Sequence, residues 1–314
     1  MLLIVSSVSF GSLSTFTTLA KRAGLSLLTA MTWRYMIAVI VLAIIGAKSI
    51  RSIRVSQAAR LILIGGVGQA FITYLSLKAL DYLPVGPLAF LFYTYPAWVA
   101  VSAAVTGRER LTARHVSALA IAMIGIVVMV GTPATESLNP VGVAIALGVA
   151  FLYAIYLPVL HAVQTGLRAD IATLYLLLGV FLSFLLADAI TGGARIPSST
   201  EQWVYVLILA LVCTVAAFST LIAGLRTLGP VRTSIISTVE PFFTALLGVL
   251  LLGEKLSKTT IIGGALVAVA VVPHLLANPL DVQRAEPRIA QPTGQRDGSQ
   301  RHDCLLYTSP SPRD

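Results

Sequence analysis

The sequence predicts an all-α membrane protein of ten transmembrane helices arranged as two inverted five-helix repeats. Three observations carry that prediction. Of 314 residues 57% are hydrophobic and only 11% charged, and the mean hydropathy of +0.88 lies far outside the range of soluble domains. Ten apolar runs approach the length that a helix needs to cross hydrocarbon, at 2–20, 27–46, 60–80, 85–106, 115–131, 140–161, 170–190, 203–225, 231–252 and 259–276. Finally, "YTYPAWVAVSAAVTGRERLT" (93–112) and "TVEPFFTALLGVLLLGEKLS" (238–257) share a layout, with Pro96 and Pro241, Glu109 and Glu254, and Leu111 and Leu256 each 145 residues apart.

Each run mixes Gly, Ser, Thr and Pro through its hydrophobic residues instead of alternating, which favours a helical bundle over a lipid-facing barrel. Small residues let membrane helices approach closely. The first run, opening "MLLIVSSVSFGS", has no basic start or cleavage site and reads as a retained helix. Pro84, Pro87 and Pro230 read as helix-start signals. Pro96 and Pro241 each remove an amide donor and are expected to kink the fourth and ninth helices as hinge or gating elements, while Pro158 is expected to bend the sixth.

The correspondence extends back to Leu80 with Leu225 and Leu83 with Leu228, and more weakly to "VSFGSLSTF" beside "VAFLYAIYL". Repeats of five helices, an odd number, must be inverted relative to each other. The expected boundaries are 1–135 and 136–277, followed by a polar, aperiodic tail at 278–303. The last residues, 304–314, are similar to a translated sequencing-library adapter and are set aside.

The net charge of +9 is read through its distribution. With the N-terminus in the cytoplasm, cytoplasmic loops hold Lys48, Arg51, Arg54, Arg60, Arg108, Arg110, Arg114, Arg168, Arg226 and Arg232. The opposite loops hold Lys21, Arg22, Lys78, Arg195, Lys255 and Lys258. The positive-inside bias therefore puts both termini in the cytoplasm of a cell inner membrane, and no nucleic-acid partner is implied.

Inverted repeats are a recurring design of secondary transporters, in which two half-structures rock around a central site. The paired motifs, with Arg34 in "AMTWRYMIAV", resemble the EamA-type family of the drug/metabolite transporter superfamily, a resemblance that covers nearly all of Leu3–Leu276. It implies ten helices in two repeats and a metabolite carrier, often an exporter, without naming a substrate. The first repeat departs from the pattern, carrying Tyr95 where the second carries Glu240.

Candidate substrate-binding residues follow from helical spacing. One face collects Thr233, Ser237, Glu240 and Thr244 in the ninth segment, another Ser7, Gly11, Ser14 and Thr18 in the first, and a third Gln69, Thr73 and Ser76. Such stripes turn from lipid toward a cavity or a neighbouring helix. Phe71 and Tyr74, and likewise Tyr153 and Tyr156, are spaced to line one wall, with Phe90, Phe92, Tyr93, Tyr95, Trp98 and Phe218 nearby in sequence. Rings at segment ends also fit interfacial belts; the deeper Tyr74, Tyr95 and Tyr153 are assigned to a cavity suited to a small amphipathic metabolite such as an amino acid. For Glu240 three uses stay open: handling a coupling proton, binding a substrate amino group, or structural satisfaction beside Pro241. Arg34 could bind a carboxylate, but snorkelling or a structural role is favoured. Lys78, His115 and His161 read as groups at segment ends.

Other classes find less support. The chain holds no HExxH, no HxxxxD, no intramembrane aspartate pair and no nucleotide-binding glycine loop, so an enzyme lacks its residues. Cys213 and Cys304 suggest neither a disulfide framework nor a metal site, and no cofactor is implied. A receptor or assembly factor would need longer loops or a soluble domain to engage its partner.

Overall fold

The computed structural model describes residues 1–47, 53–79, 81–83, 88, 91–107, 112–130, 139–192, 195–253 and 258–276. Leu80, Pro84, Pro87, Phe90, Glu109, Leu111, Glu254, Leu256, the tail at 278–303 and residues 304–314 lie outside these. Among the described residues the chain is helical and contains no strand.

Helix α1 (Leu2–Arg22) ends in Lys21 and Arg22, cations that complement the negative end of its dipole. Helix α2 (Leu27–Gly46) starts at Ser26, whose hydroxyl accepts from the Thr29 amide at 3.1 Å. Helix α3 runs as Val55–Leu63, passes through a π-helical stretch at Ile64–Gln69, and resumes as Ala70–Ala79. Helices α4 (Tyr95–Val105) and α5 (Ala113–Val130) complete the first half.

The second half opens with α6 (Pro140–Gln164), capped by Asn139, with Pro140 in the first turn where a missing amide costs nothing. Pro158 lies inside it. Helix α7 (Ala169–Thr191) precedes α8, which runs as Thr200–Ala210, a second π-helical stretch at Leu211–Ala216, and then 217–228. Gly229, at φ 74° and ψ 171°, ends α8 with a backbone that other residues resist. Pro230 opens the short helix α9 at 230–237, as the start-signal reading requires. Helices α10 (Glu240–Leu252) and α11 (Lys258–Leu276) follow.

Among the described residues, six helical stretches are long and apolar enough to cross a membrane: Leu2–Arg22, Leu27–Gly46, Val55–Ser76, Pro140–Gln164, Ala169–Thr191 and Thr200–Ser237. Four shorter apolar helices accompany them, Tyr95–Val105, His115–Val128, Glu240–Leu252 and Ile261–Val272. Ile44, Val105 and Ile190 are each more than 70% exposed, as a lipid-facing surface allows.

The halves interlock. Helix α1 packs on 217–228 and on α10, and its counterpart α6 packs on the end of α3 and on α4. The pairs α2 with α7 and α5 with α11 join equivalent elements of the two halves. The ends of the bundle are set by polar loop contacts. Trp33 of α2 donates to the Arg195 carbonyl in the α7–α8 loop at 3.0 Å, and the Gln202 amide group of α8 to the Ala23 carbonyl in the α1–α2 loop at 2.8 Å, so that both loops line one groove. Leu167, whose carbonyl accepts from Arg226, precedes the other end of α7, a helix of 23 residues and so about 34 Å long.

Without a hydrophobic drive between helices in lipid, close packing supplies much of their adhesion. Where α3 meets α7 the approach requires glycine. A Cβ on Gly65 would lie 2.0 Å from the Leu176 carbonyl oxygen, and one on Gly179 2.0 Å from that of Ile62. Gly148 on α6 has open space around its Cβ position. Replacing Gly179 by Ala should therefore lower the thermal stability of the detergent-solubilised protein by about 1–3 kcal/mol through overpacking, whereas Gly148→Ala should match or exceed wild type by up to about 1 kcal/mol. Equal melting temperatures for the two variants would contradict this account of the α3–α7 contact.

Candidate functional site

The site begins with two matching interruptions of the helical chain. Helix α9 ends at Ser237, Thr238 and Val239 form a turn, and α10 starts at Glu240 with Pro241 in its first turn. In the first half Tyr93 and Thr94 form the turn, and α4 starts at Tyr95 with Pro96 in its first turn. The expected kinks are therefore full breaks. Pro96 and Pro241 stand where a helix begins and no amide partner is lost, so the break lies just before each proline. Hydroxyls assist it: Thr238 and Ser234 donate to the Ile235 and Val231 carbonyls, each at 2.7 Å, and Thr94 to that of Leu91 at 2.6 Å.

This geometry accounts for a carboxylate at this depth. Glu240 occupies the first turn of α10, where the positive end of the helix dipole favours an anion, although the Phe242 and Phe243 amides are already bonded to the Val239 carbonyl. Helix α1 crosses the same turn through Gly11, whose Cβ would stand 2.9 Å from the Glu240 carbonyl oxygen and 3.0 Å from Phe243 Cβ. Across the opposite break, the Tyr93 hydroxyl lies within electrostatic range of the Glu240 carboxylate.

Around that pair the rings form one cluster. Tyr95 meets Tyr153 edge-on at 4.8 Å between centroids, and Phe92 lies 5.3 Å from Tyr95, 5.5 Å from Tyr93 and 5.5 Å from Tyr153. Tyr156 stacks on Tyr153 at 5.8 Å. Ser237 lies beside the Tyr95 hydroxyl, and Tyr95 and Tyr153 lie within electrostatic range of the Glu240 carboxylate. Tyr93, Tyr95 and Tyr156 are buried, while Glu240 and Tyr153 are half-buried. The Tyr156 hydroxyl has no hydrogen-bond partner.

Five expected site residues thus come together: Tyr95, Tyr153, Tyr156, Ser237 and Glu240. The others sit elsewhere. Tyr74 is 58% exposed and shares with Phe71 the outer face of α3, because Ala70 and Ile72 turn inward. It borders an apolar groove of about 330 Å³ with Gly66, Val67, Phe71 and Phe184, not the ring cluster. Thr73 is half-buried and donates to the Gln69 carbonyl of its own helix at 2.8 Å. Ser14 is exposed, whereas Ser7 and Gly11 are buried, so that stripe does not stay on one side. The stripe through Thr233 and Glu240 is interrupted by the break at Thr238 and Val239, where helical spacing no longer applies.

Arg34 does not snorkel. It is 2% exposed, donates through Nε to Thr214 Oγ1 and through Nη2 to the Cys213 carbonyl at 3.0 Å, and lies over the Tyr35 ring at 4.9 Å. Its partners belong to the second π-helical stretch. Lys78 is exposed and pairs with Asp81 at 2.8 Å.

Sequence reasoning singled out the tyrosines but missed the Tyr93–Glu240 contact and the part played by Phe92. The 145-residue offset aligns Tyr93 with Thr238, the first residue of the second turn, and marks both turns as equivalent. Nothing in spacing shows that the two turns meet.

The fold and the site define a multi-pass helical membrane protein with a carboxylate and a ring cluster where two interrupted helices meet. A family profile described as the EamA-like transporter family matches residues 1–131 and again 140–273. The chain belongs to the EamA-like transporter family, which bears out the resemblance in its motifs. A solved structure described only as a crystal structure of a protein is similar with a TM-score of 0.73 over 91% of this chain and 98% of its own, at 18% identity. At that identity the likeness speaks for the fold alone. No curated protein gives a significant match.

Replacing Arg34 by Met would leave the buried Cys213 carbonyl without its side-chain donor and the Thr214 hydroxyl with only its bond to the Leu209 carbonyl. Hydrogen bonds from a charged donor contribute about 1.5–3 kcal/mol, so the variant should unfold at clearly lower temperature in detergent. Arg34→Lys should recover only part of the loss, because an ammonium cannot reproduce the planar fork that spans two acceptors. Full stability of Arg34→Met would show that the π-helical stretch needs no side-chain support.

Proposed function

We propose that the protein is a secondary transporter that moves a small amphipathic metabolite outward across the cell inner membrane by alternating access. In this reading it has ten spans in two inverted repeats, 1–135 and 136–277, with both termini in the cytoplasm. Glu240, Tyr95, Tyr153, Tyr156 and Ser237 contact the substrate, and the breaks before Pro96 and Pro241 act as hinges. Glu240 is also the group through which a proton gradient would couple.

The observation that carries the reading is the pairing of the two breaks, one from each half, with the ring cluster between them. Secondary carriers commonly place interrupted helices from two repeats around a midplane site. The inverted arrangement draws support from the loops. The α1–α2 loop at 23–26 and the α6–α7 loop at 165–168 follow the first helix of each half. The first lines one groove with the α7–α8 loop, and the second lies at the other end of α7. Membership of a transporter family favours a carrier over an enzyme or a receptor.

Topology can be read directly. In a background of Cys213→Ser and Cys304→Ser, Ser26→Cys should react with a membrane-impermeant maleimide on intact cells, and Thr165→Cys only after permeabilisation. Labelling of both from one side would sink the inverted arrangement.

Transport itself is tested by counterflow in proteoliposomes preloaded with amino acids, nucleobases or small organic acids. Saturable exchange of one class is expected, and exchange of none by folded protein would argue against a carrier. Glu240→Gln should cut that exchange about tenfold or more, the effect of losing a charge-assisted contact of about 1.5–3 kcal/mol. Unchanged flux in this variant would leave Glu240 a structural role only.

A further inference from the structure

We propose that the Glu240 site selects a monovalent organic cation, an amine or quaternary ammonium with an apolar body, over a zwitterionic amino acid. The proposal rests on the carrier reading above and narrows its substrate class.

The first argument is charge balance. Two ion pairs occur among the described residues, Lys78–Asp81 and Arg168–Asp170, and neither involves Glu240. Its carboxylate has the Tyr93 hydroxyl within electrostatic range and the start of α10, and among the described residues it has no ion-pair partner. Withdrawing a carboxylate from water costs several kcal/mol even after relaxation. A helix terminus returns at most about 2 kcal/mol and one hydrogen bond to a charged group about 1.5–3 kcal/mol. A positive ligand supplies the missing partner.

Ring chemistry points the same way. Phe92, Tyr93, Tyr95 and Tyr153 cluster beside that carboxylate, and aromatic faces attract a desolvated cation by about 2 kcal/mol or more. The same rings take up an apolar body. At the edge of the cluster the Tyr156 hydroxyl, 6% exposed and unpartnered, offers a hydrogen bond that the protein leaves unmade. Buried polar groups are normally satisfied, so an orphan hydroxyl beside a ring cluster marks a place for a ligand atom.

The third argument excludes the zwitterion. An amino acid needs a cation for its carboxylate, and among the described residues the one fully buried guanidinium, that of Arg34, is already committed. Arg34 is bonded to Thr214 and the Cys213 carbonyl, approaches Met31 Sδ at 3.8 Å and covers the Tyr35 ring. Its partners lie on the π-helical stretch of α8, not on the Glu240 cluster. A bound amino acid would put its carboxylate among tyrosine rings beside another carboxylate.

Four probes with one phenyl ring separate the cases: 2-phenylethylamine, phenyltrimethylammonium, phenylalanine and 3-phenylpropionate. With the full-length protein in lipid nanodiscs, direct binding near neutral pH should favour both cations over phenylalanine by about tenfold or more, with 3-phenylpropionate weakest. Glu240→Gln should remove that preference. Should the variant not fold, phenyltrimethylammonium should still protect Glu240 of the wild type from a hydrophobic carbodiimide, with the site of modification read by mass spectrometry. Binding of phenylalanine or 3-phenylpropionate as tightly as the cations, binding of none of the four, or no protection of Glu240 would each overturn the cation assignment. Counterflow of the wider metabolite panel then decides separately whether the carrier reading survives.

Discussion

Inside hydrocarbon every backbone donor and acceptor must find a partner within the protein, and this constraint governs each departure from regular helix in the structure. Among the described residues these departures include two π-helical stretches, at Ile64–Gln69 and Leu211–Ala216, and two breaks, before Tyr95 and before Glu240, besides the turn at Gly229. In the first π-stretch the Ser183 hydroxyl donates to the Gly66 carbonyl at 3.0 Å. In the second the Arg34 guanidinium donates to the Cys213 carbonyl, and Thr214 donates back to Leu209 at 2.7 Å. The breaks are sealed by hydroxyls on the preceding carbonyls and by prolines that have no amide to satisfy. Polar residues in these helices serve the backbone first.

The two halves solve one problem with different chemistry. Arg34 on α2 braces the π-stretch of α8, and Gly179, 145 residues later on α7, receives the π-stretch of α3 by direct backbone approach. A long cation and an absent side chain occupy the same place in the repeat. That difference separates the stability of the α2–α8 contact, which depends on hydrogen bonds, from that of the α3–α7 contact, which depends on shape. Divergence of this kind also makes the site one-sided. Tyr95 and Glu240 are equivalent in position, and only the second is charged.

Much of the fold was legible because hydropathy follows helix length closely. The expected run at 27–46 coincides with α2, and those at 170–190 and 259–276 fall within one residue of α7 and α11 at each end. The ninth run hid its break, since the apolar residues on either side of Ser237–Glu240 carry those four polar-rich positions into one span. Rings were harder to place. Tyr153 and Tyr156 line a wall together as spacing required, but the same rule applied to Phe71 and Tyr74 describes a face that turns outward. Helical periodicity identifies which residues share a face, and only packing decides what that face meets. Tyr93 illustrates the limit, because its contact with Glu240 joins residues from different halves that no local pattern relates.

The position of Glu240 follows from these constraints taken together. A carboxylate in the middle of a continuous helix would face amides already bonded to the preceding turn, with nothing to offset its desolvation. Placed at the first turn of α10, it meets the positive end of the helix, and the break that creates this environment also brings α4 and Tyr93 within reach. The proline beside it is what makes the break inexpensive, since it gives up no backbone bond there. Gly11 completes the arrangement by letting α1 close over the turn without a side chain in the way. Moving the break by one residue would put Glu240 inside a helix or leave Pro241 without its place at the start of one, so hinge and charge are a single feature of the chain.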